Sequence, residues 1–318
     1  MKILLTGGCG YVGTVLTEKL LEKGHDVTVV DAMWFGNYLK PQKNLTIIKE
    51  DIRNTENILL KGIETIIHLA NVANDPCVEL DPRLSWEVNT LATMQLIDKA
   101  VRLKVKQFIY ASSGSVYGVT DEPKVTEELE LKPISEYNKT KMVSERVLLS
   151  YKDEMIVQCI RPATVCGYSP RMRLDLSVNM LTMQAITKGV ITVFGGNQVR
   201  PNIHVQDMVD VYLYMLDLGK KAAGVYNAGF ENISILDIAK RVTNFIPVKI
   251  VVTESNDPRS YRMNSDKLLS TGFKPKKTVD DAIKEIMQAY KDGKIKDEES
   301  CYNVKWMKKT VCNSLTSS

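Results

Sequence analysis

The chain has 318 residues, 44% of them hydrophobic and 25% charged, and its 42 basic and 38 acidic side chains leave a net charge of +4. That composition excludes a disordered chain, a collagen and a disulfide mini-protein, and it suffices for a large core in one large or two modest domains. The near-neutral balance gives no basic footprint for nucleic acid, whereas a small anion needs only one or two well-placed cations. Cysteines stand at 9, 77, 159, 166, 301 and 312 without a CxxC pair, and the three histidines are scattered, so no metal site is expected. MKILL runs straight into a glycine loop and no apolar stretch reaches about 18 residues, so neither a signal peptide nor a membrane span is expected. The expected setting is the reducing cytoplasm.

Read in chain order, KILLT (2–6) is a buried strand and 11–23 a helix closed by Gly24. Strands follow at 27–31, 45–49 and 65–70, then a long helix at 85–103, a strand at 106–112, a helix at 136–151 and a strand at 155–160. Apolar strands separated by helices predict a parallel sheet covered on both faces, an α/β doubly wound fold. Beyond residue 160 the texture changes. Helices fit 174–188, 207–218, 234–244 and 278–291, strands are short (191–194, 225–228, 249–252), and Arg, Pro and Gly gather in the connections. The expected division is 1–170 plus 201–228 for the sheet domain and 171–200 plus 229–318 for a smaller α/β lobe. The polar tail 294–318, with Trp306, has no assignment.

TGGCGYVG (6–13) joins the first strand to the first helix. Of its spaced glycines, Gly7, Gly10 and Gly13, one permits the tight turn, one lets a pyrophosphate approach the backbone, and one lets helix and strand pack closely. The pyrophosphate would rest on the helix N-terminus, at Tyr11 and Val12. Asp31 ends the second strand 18 residues after Gly13, where a carboxylate binds both ribose hydroxyls. A carboxylate there repels a 2′-phosphate, and Ala32 and Met33 supply no cation, so NAD is expected rather than NADP. Asp51, with Ile52, follows the third strand. It is placed either to reach the adenine or as a solvated loop acid.

Tyr137 and Lys141 share a helix face. Tyr290 and Lys294 repeat the spacing beside the polar tail and read as a surface pair. The first pair differs by its neighbourhood: ASSGSVYG (111–118) brings hydroxyls to the carboxyl edge of the sheet, where open α/β sheets bind ligands. A hydride leaving a sugar carbon for nicotinamide needs a base for the hydroxyl proton. A lysine ammonium and the positive nicotinamide are expected to lower the tyrosine's pKa, while a serine holds the substrate oxygen.

With these features stand HLAN (68–71), VNT (88–90), RPATVCG (161–167), VNML (178–181), VFGG (193–196) and RPNIHVQD (200–207). Together they resemble, over residues 1 to about 290, the extended short-chain dehydrogenase/reductases that act on nucleotide sugars, the NAD-dependent epimerase/dehydratase group. The resemblance implies a Rossmann-type sheet binding NAD and a C-terminal lobe binding a nucleotide-diphosphate sugar. It makes Ser113 the catalytic serine, Tyr137 the base, Lys141 its partner and Ser115 a second substrate-contacting hydroxyl. It adds Leu69, Ala70 and Asn89 to the cofactor side and Val193, Asn179 and Arg200 to the substrate side, the last two on the diphosphate. Arg259 in DPRSYR (257–262) joins them, with Arg262 as the alternative. It also implies a homodimer formed through helices 85–103 and 136–151.

Departures from the family pattern narrow the reaction. Where the 4,6-dehydratases carry Asp-Glu, and where decarboxylating members also need an acid, this chain has Gly114 and Ser115. No cysteine stands in that loop for C3/C5 epimerisation, and Cys166 reads as a small buried hydrophobe. The expectation is a C4 epimerase acting by transient oxidation, with a C4 dehydrogenase as the alternative. A 4,6-dehydratase or a non-catalytic binding protein is the lesser reading. Asn179 is open to a loop-bridging role, Asp175 to pairing with Arg171 or Arg173, and His204 to simple packing.

Overall fold

The structure, a computed structural model, describes residues 1–254 and 260–312. Its first half runs β1 (Lys2–Thr6), α1 (Tyr11–Glu22), β2 (Asp26–Asp31), β3 (Leu45–Lys49), β4 (Thr65–His68), α2 (Asp75–Val78), α3 (Pro82–Trp86), α4 (Ala92–Arg102), β5 (Gln107–Ala111), α5 (Glu136–Ser150) and β6 (Ile156–Pro162). There follow β7 (Thr164–Cys166), α6 (Ser177–Lys188), β8 (Val190–Phe194), β9 (Val199–His204), α7 (Val205–Leu218), β10 (Gly224–Ala228), β11 (Glu231–Ser234), α8 (Ile235–Phe245) and β12 (Lys249–Thr253). The chain closes with α9 (Asp266–Ser270), α10 (Val279–Lys291) and α11 (Asn303–Met307).

Seven strands form one parallel sheet in the order β10-β6-β5-β4-β1-β2-β3. Its strands are apolar on both sides because helices cover both faces. Leu16 and Leu20 of α1 pack with Val209 and Tyr212 of α7 on one face; Leu96, Ile97 and Leu148 of α4 and α5 fill the other. The order reverses between β1 and β4, so the loops leaving their carboxyl ends diverge and open a crevice there.

Two small sheets lie outside the large one: β11-β9-β7, and β12 paired with β8. A third core of Val178, Leu181, Ile191, Ile238 and Ile283 binds α6, α8 and α10. Three strands there escape the sequence pattern. β7 has only three residues, β9 carries a proline, and β11 (ENIS) has a single apolar residue.

The single helix expected over 85–103 is interrupted. A π turn, Glu87–Leu91, separates α3 from α4. The π turn carries Asn89, whose Oδ1 accepts from Val72 N at 2.7 Å while its Nδ2 donates to Val72 O and to Thr140 Oγ1. Such bulges recur at functional sites. Here the bulge holds the loop that follows β4 against α5.

Candidate active site

The crevice is a cavity of about 400 Å³ lined by the glycine loop, the ends of β2, β4 and β5, one face of α5 and parts of the later chain. Its floor is set by sterics. Gly7 has φ +73°, and a Cβ there would stand 2.6 Å from Ala70 N. A Cβ on Gly13 would meet Gly7 O at 2.2 Å. Gly10 caps α1 without a side chain, so the N–H groups of its first turn, at the cavity-lining residues Tyr11, Val12 and Gly13, are open to an anion.

Asp31 lies at the cavity's far end. It accepts from Cys9 N at 2.9 Å and Met33 N at 2.7 Å, and burial raises its pKa. Each oxygen keeps lone-pair capacity for a ribose hydroxyl. Asp51 and Ile52 also line the wall, and Asp51 pairs with Arg53 at 2.9 Å. Leu69 and Ala70 complete this side. A glycine cradle, an open helix N-terminus and a carboxylate at the end of β2 fit a dinucleotide with an unphosphorylated adenosine ribose.

At the other end β5 runs into a short 3₁₀ turn, Gly114–Tyr117. Ser113 caps it, accepting from Ser115 N at 3.2 Å and lying 2.7 Å from Ser115 Oγ. The turn rests on a buried network. Ser112 donates to Glu145, which takes two bonds from Arg161 at 2.9 and 2.6 Å. Arg161 also donates to Tyr117 OH at 2.8 Å, which donates to Asn227 Oδ1 at 2.7 Å.

Tyr137 and Lys141 stand one turn apart on α5, both on the cavity. Lys141 Nζ donates to Ala111 O at 2.8 Å and lies 5.9 Å from the Tyr137 ring centroid. Burial pushes Tyr137 up to about 12, against a hydrogen bond with Ser113 that lowers it. Burial also pulls Lys141 down to about 7, opposed by Glu145. In the protein alone, without the positive nicotinamide, desolvation dominates at Tyr137.

Ser115 and Arg200 line the same cavity. Three other expected contacts do not. Asn89 is buried behind the wall, as described. Asn179 is fully buried, accepting from Gly167 N at 3.0 Å and donating to Tyr11 OH and Arg173 O, so it bridges loops. Val193 belongs to the third core. Arg259 lies outside the described residues. His204 packs: its Nδ1 accepts from Gln206 N, and its Nε2 lies 2.9 Å from Glu285. Asp175 pairs with Arg173 through two bonds at 3.0 and 3.1 Å. Tyr290 is exposed and Lys294 pairs with Asp292, as a surface pair would.

Sequence reading missed part of the wall: Trp34 and Phe35 after β2, Arg171 and Arg173, Tyr212 of α7, and Asn303 and Met307 of α11. The tail docks. Trp306 Nε1 donates to Trp34 O at 2.5 Å, and Asn303 N donates to Asp175 at 3.2 Å. A tryptophan inside an otherwise polar stretch was the one signal for it.

The model of the NAD dependent epimerase/dehydratase family matches residues 3–229. UDP-glucose 4-epimerase of Lactobacillus helveticus is 28% identical over 313 residues, covering 89% of this chain and 95% of that one. UDP-glucuronic acid decarboxylase 1 of Danio rerio is 26% identical, over 91% of this chain and 72% of that one. Among solved structures, UDP-glucuronic acid 4-epimerase from Bacillus cereus, in complex with UDP-glucuronic acid and NAD, aligns with a TM-score of 0.81 at 26% identity, over 92% of this chain and 99% of that one.

Proposed function

The chain belongs to the NAD-dependent epimerase/dehydratase family, and from that premise we propose that it is a nucleotide-sugar C4 epimerase. The observation that carries this is the hydroxyl and amine set at the carboxyl edge of the sheet, Ser113, Tyr137 and Lys141, combined with Gly114 and Ser115 where an elimination would need acids. Two of the relatives above are named as 4-epimerases.

Tyr137 takes the proton of the sugar's 4-hydroxyl and later returns it. Ser113 and Ser115 hold that oxygen through the transfer. Lys141 is pinned to Ala111 O, which fixes its ammonium beside the phenol. NAD, when bound, supplies the hydride acceptor at C4 and a positive ring charge that favours the phenolate. Arg200, which lines the same cavity, is the cation for the sugar nucleotide's diphosphate. Epimerisation then requires the 4-keto sugar to turn over and take the hydride on its other face.

The test is incubation of the purified protein with a panel of UDP-, dTDP- and GDP-sugars. An isomer of unchanged mass is expected, and Tyr137→Phe should abolish its formation. Loss of two hydrogens would replace the epimerase with a C4 dehydrogenase. Loss of water or of carbon dioxide would replace it with a lyase, and no turnover of any nucleotide sugar would remove the proposal.

We further propose a cytoplasmic homodimer. Leu91 and Met94, beside α5 at the start of α4, are 44% and 40% exposed, whereas Ile97 and Leu148 are consumed by the core. Cys9, Cys159 and Cys166 are buried thiols, in keeping with a reducing compartment. Among the described residues no helix is long and apolar enough to cross a membrane.

A further inference from the structure

Arg171 is a buried cation that the reaction leaves unused. Four contacts fix where it sits. Tyr11 OH donates to Gly167 O, and Ser169 Oγ donates to Tyr11 O, both at 2.7 Å, so the segment 167–169 lies on the first turn of α1. Two residues further, the Arg171 guanidinium lies 4.1 Å from the Phe35 ring centroid, in the loop beyond Asp31. Its Nη2 donates to Asn303 Oδ1 of α11 at 2.6 Å.

The residue is only 3% exposed, yet it is poorly matched. Nε has no hydrogen-bond partner among the described residues, and the reach of Nη1 to Met172 O is a long 3.5 Å. It makes no ion pair among the described residues, whereas its neighbour Arg173 is held by Asp175 and Arg161 by Glu145. The nearby Asp31 carboxylate already accepts from Cys9 N and Met33 N. A buried guanidinium that no carboxylate contacts directly is costly, and a phosphate is its natural bidentate partner.

We propose that Arg171 is a phosphate-binding residue of the dinucleotide site, its guanidinium gripping the cofactor's diphosphate from above while the N-terminus of α1 holds it from below. Asn303 and Phe35 hold the guanidinium in place, so the tail supports this grip. The sugar nucleotide also carries a diphosphate. Arg171 is assigned to the cofactor because its segment leaves the first turn of α1 and its guanidinium lies on Phe35, in the loop beyond Asp31. The assignment rests on the family's NAD dependence and not on the proposed sugar chemistry.

The experiment replaces the charge by an apolar stem, Arg171→Met, in the full chain. Binding of ADP-ribose and of UDP is measured by calorimetry, together with the thermal midpoint without ligand. ADP-ribose should weaken about 10- to 100-fold, the range expected of one lost charged hydrogen-bonding partner. UDP affinity should hold, and the midpoint should hold or rise, because an unmatched buried charge is gone. Unchanged ADP-ribose binding overturns the proposal. A loss for UDP alone assigns Arg171 to the sugar nucleotide and also overturns it. Parallel loss of both affinities and of the midpoint makes Arg171 structural. Should the methionine variant fail to fold, Arg171→Gln is read by the same two affinities and the same criteria.

Discussion

Lys141 turns a local feature into a pH dependence. In the folded chain burial holds it at about 7, while in the unfolded chain it titrates at about 10.4. Between those values the unfolded chain binds a proton that the folded chain does not, so this group makes stability rise with pH across that window and leaves it level below. Lys141→Met removes the effect. The unfolding free energy of the natural protein relative to this variant should climb by up to about 1 kcal/mol per pH unit from about pH 7.5 to 9.5. Urea titrations at several pH values measure it, and a constant difference would contradict the burial argument. At this scale the sequence was most legible where chemistry and spacing are local. Gly7, Gly13 and Asp31 sit within one strand–turn–helix–strand unit, and Tyr137 and Lys141 within one helical turn, so each was readable without the fold. Asn89 and Asn179 belong to equally local motifs. Whether an amide faces the cavity or braces its wall depends on residues far along the chain, and both brace it.

Among elements, the interrupted helix and the serine turn show the same logic of support. The π turn inserts no break in the apolar pattern, so periodicity alone reads 85–103 as continuous; the wider backbone turn appears only in the structure, where its Asn89 bonds Val72. The serine turn stands on Arg161 and Glu145, which are 4% and 1% exposed and paired by two bonds. Leaving one buried charge alone is far worse than losing the pair, so Arg161→Met should cost about 3–5 kcal/mol, read from the urea midpoint. The double change with Glu145→Gln should recover a good part of that cost. If the single variant lost under about 1 kcal/mol, the network would not anchor the turn. Strands β7, β9 and β11 were missed because each is short or polar and is made a strand by its neighbours, not by its own side chains.

Over the whole molecule, the alternation of strand and helix disclosed a parallel sheet and assigned 201–228 to its domain; the place of β10 at the edge beside β6 appears only in the structure. The closing of the cavity was not disclosed, because it depends on contacts such as Trp306 to Trp34 that span most of the chain. The same scale decides association. Leu91 and Met94 leave apolar surface where the paired helices α4 and α5 meet solvent. Light scattering should find a dimer for the natural chain, and Leu91→Glu with Met94→Glu should yield a folded monomer. A natural chain that is monomeric at micromolar concentration would remove the dimer proposal.

One consequence concerns birth rather than catalysis. The cofactor's cradle is made by residues 7–13, whereas part of its wall is made by Asn303 and Met307. At roughly 5–20 residues per second of synthesis, these two parts leave the ribosome on the order of 15 to 60 seconds apart. Through that interval the nascent sheet carries a half-built nucleotide groove, and the coenzyme cannot be fully enclosed until translation has passed residue 307. Full enclosure of the coenzyme is therefore a late event in maturation, timed by residues 303–307 and not by the glycine motif.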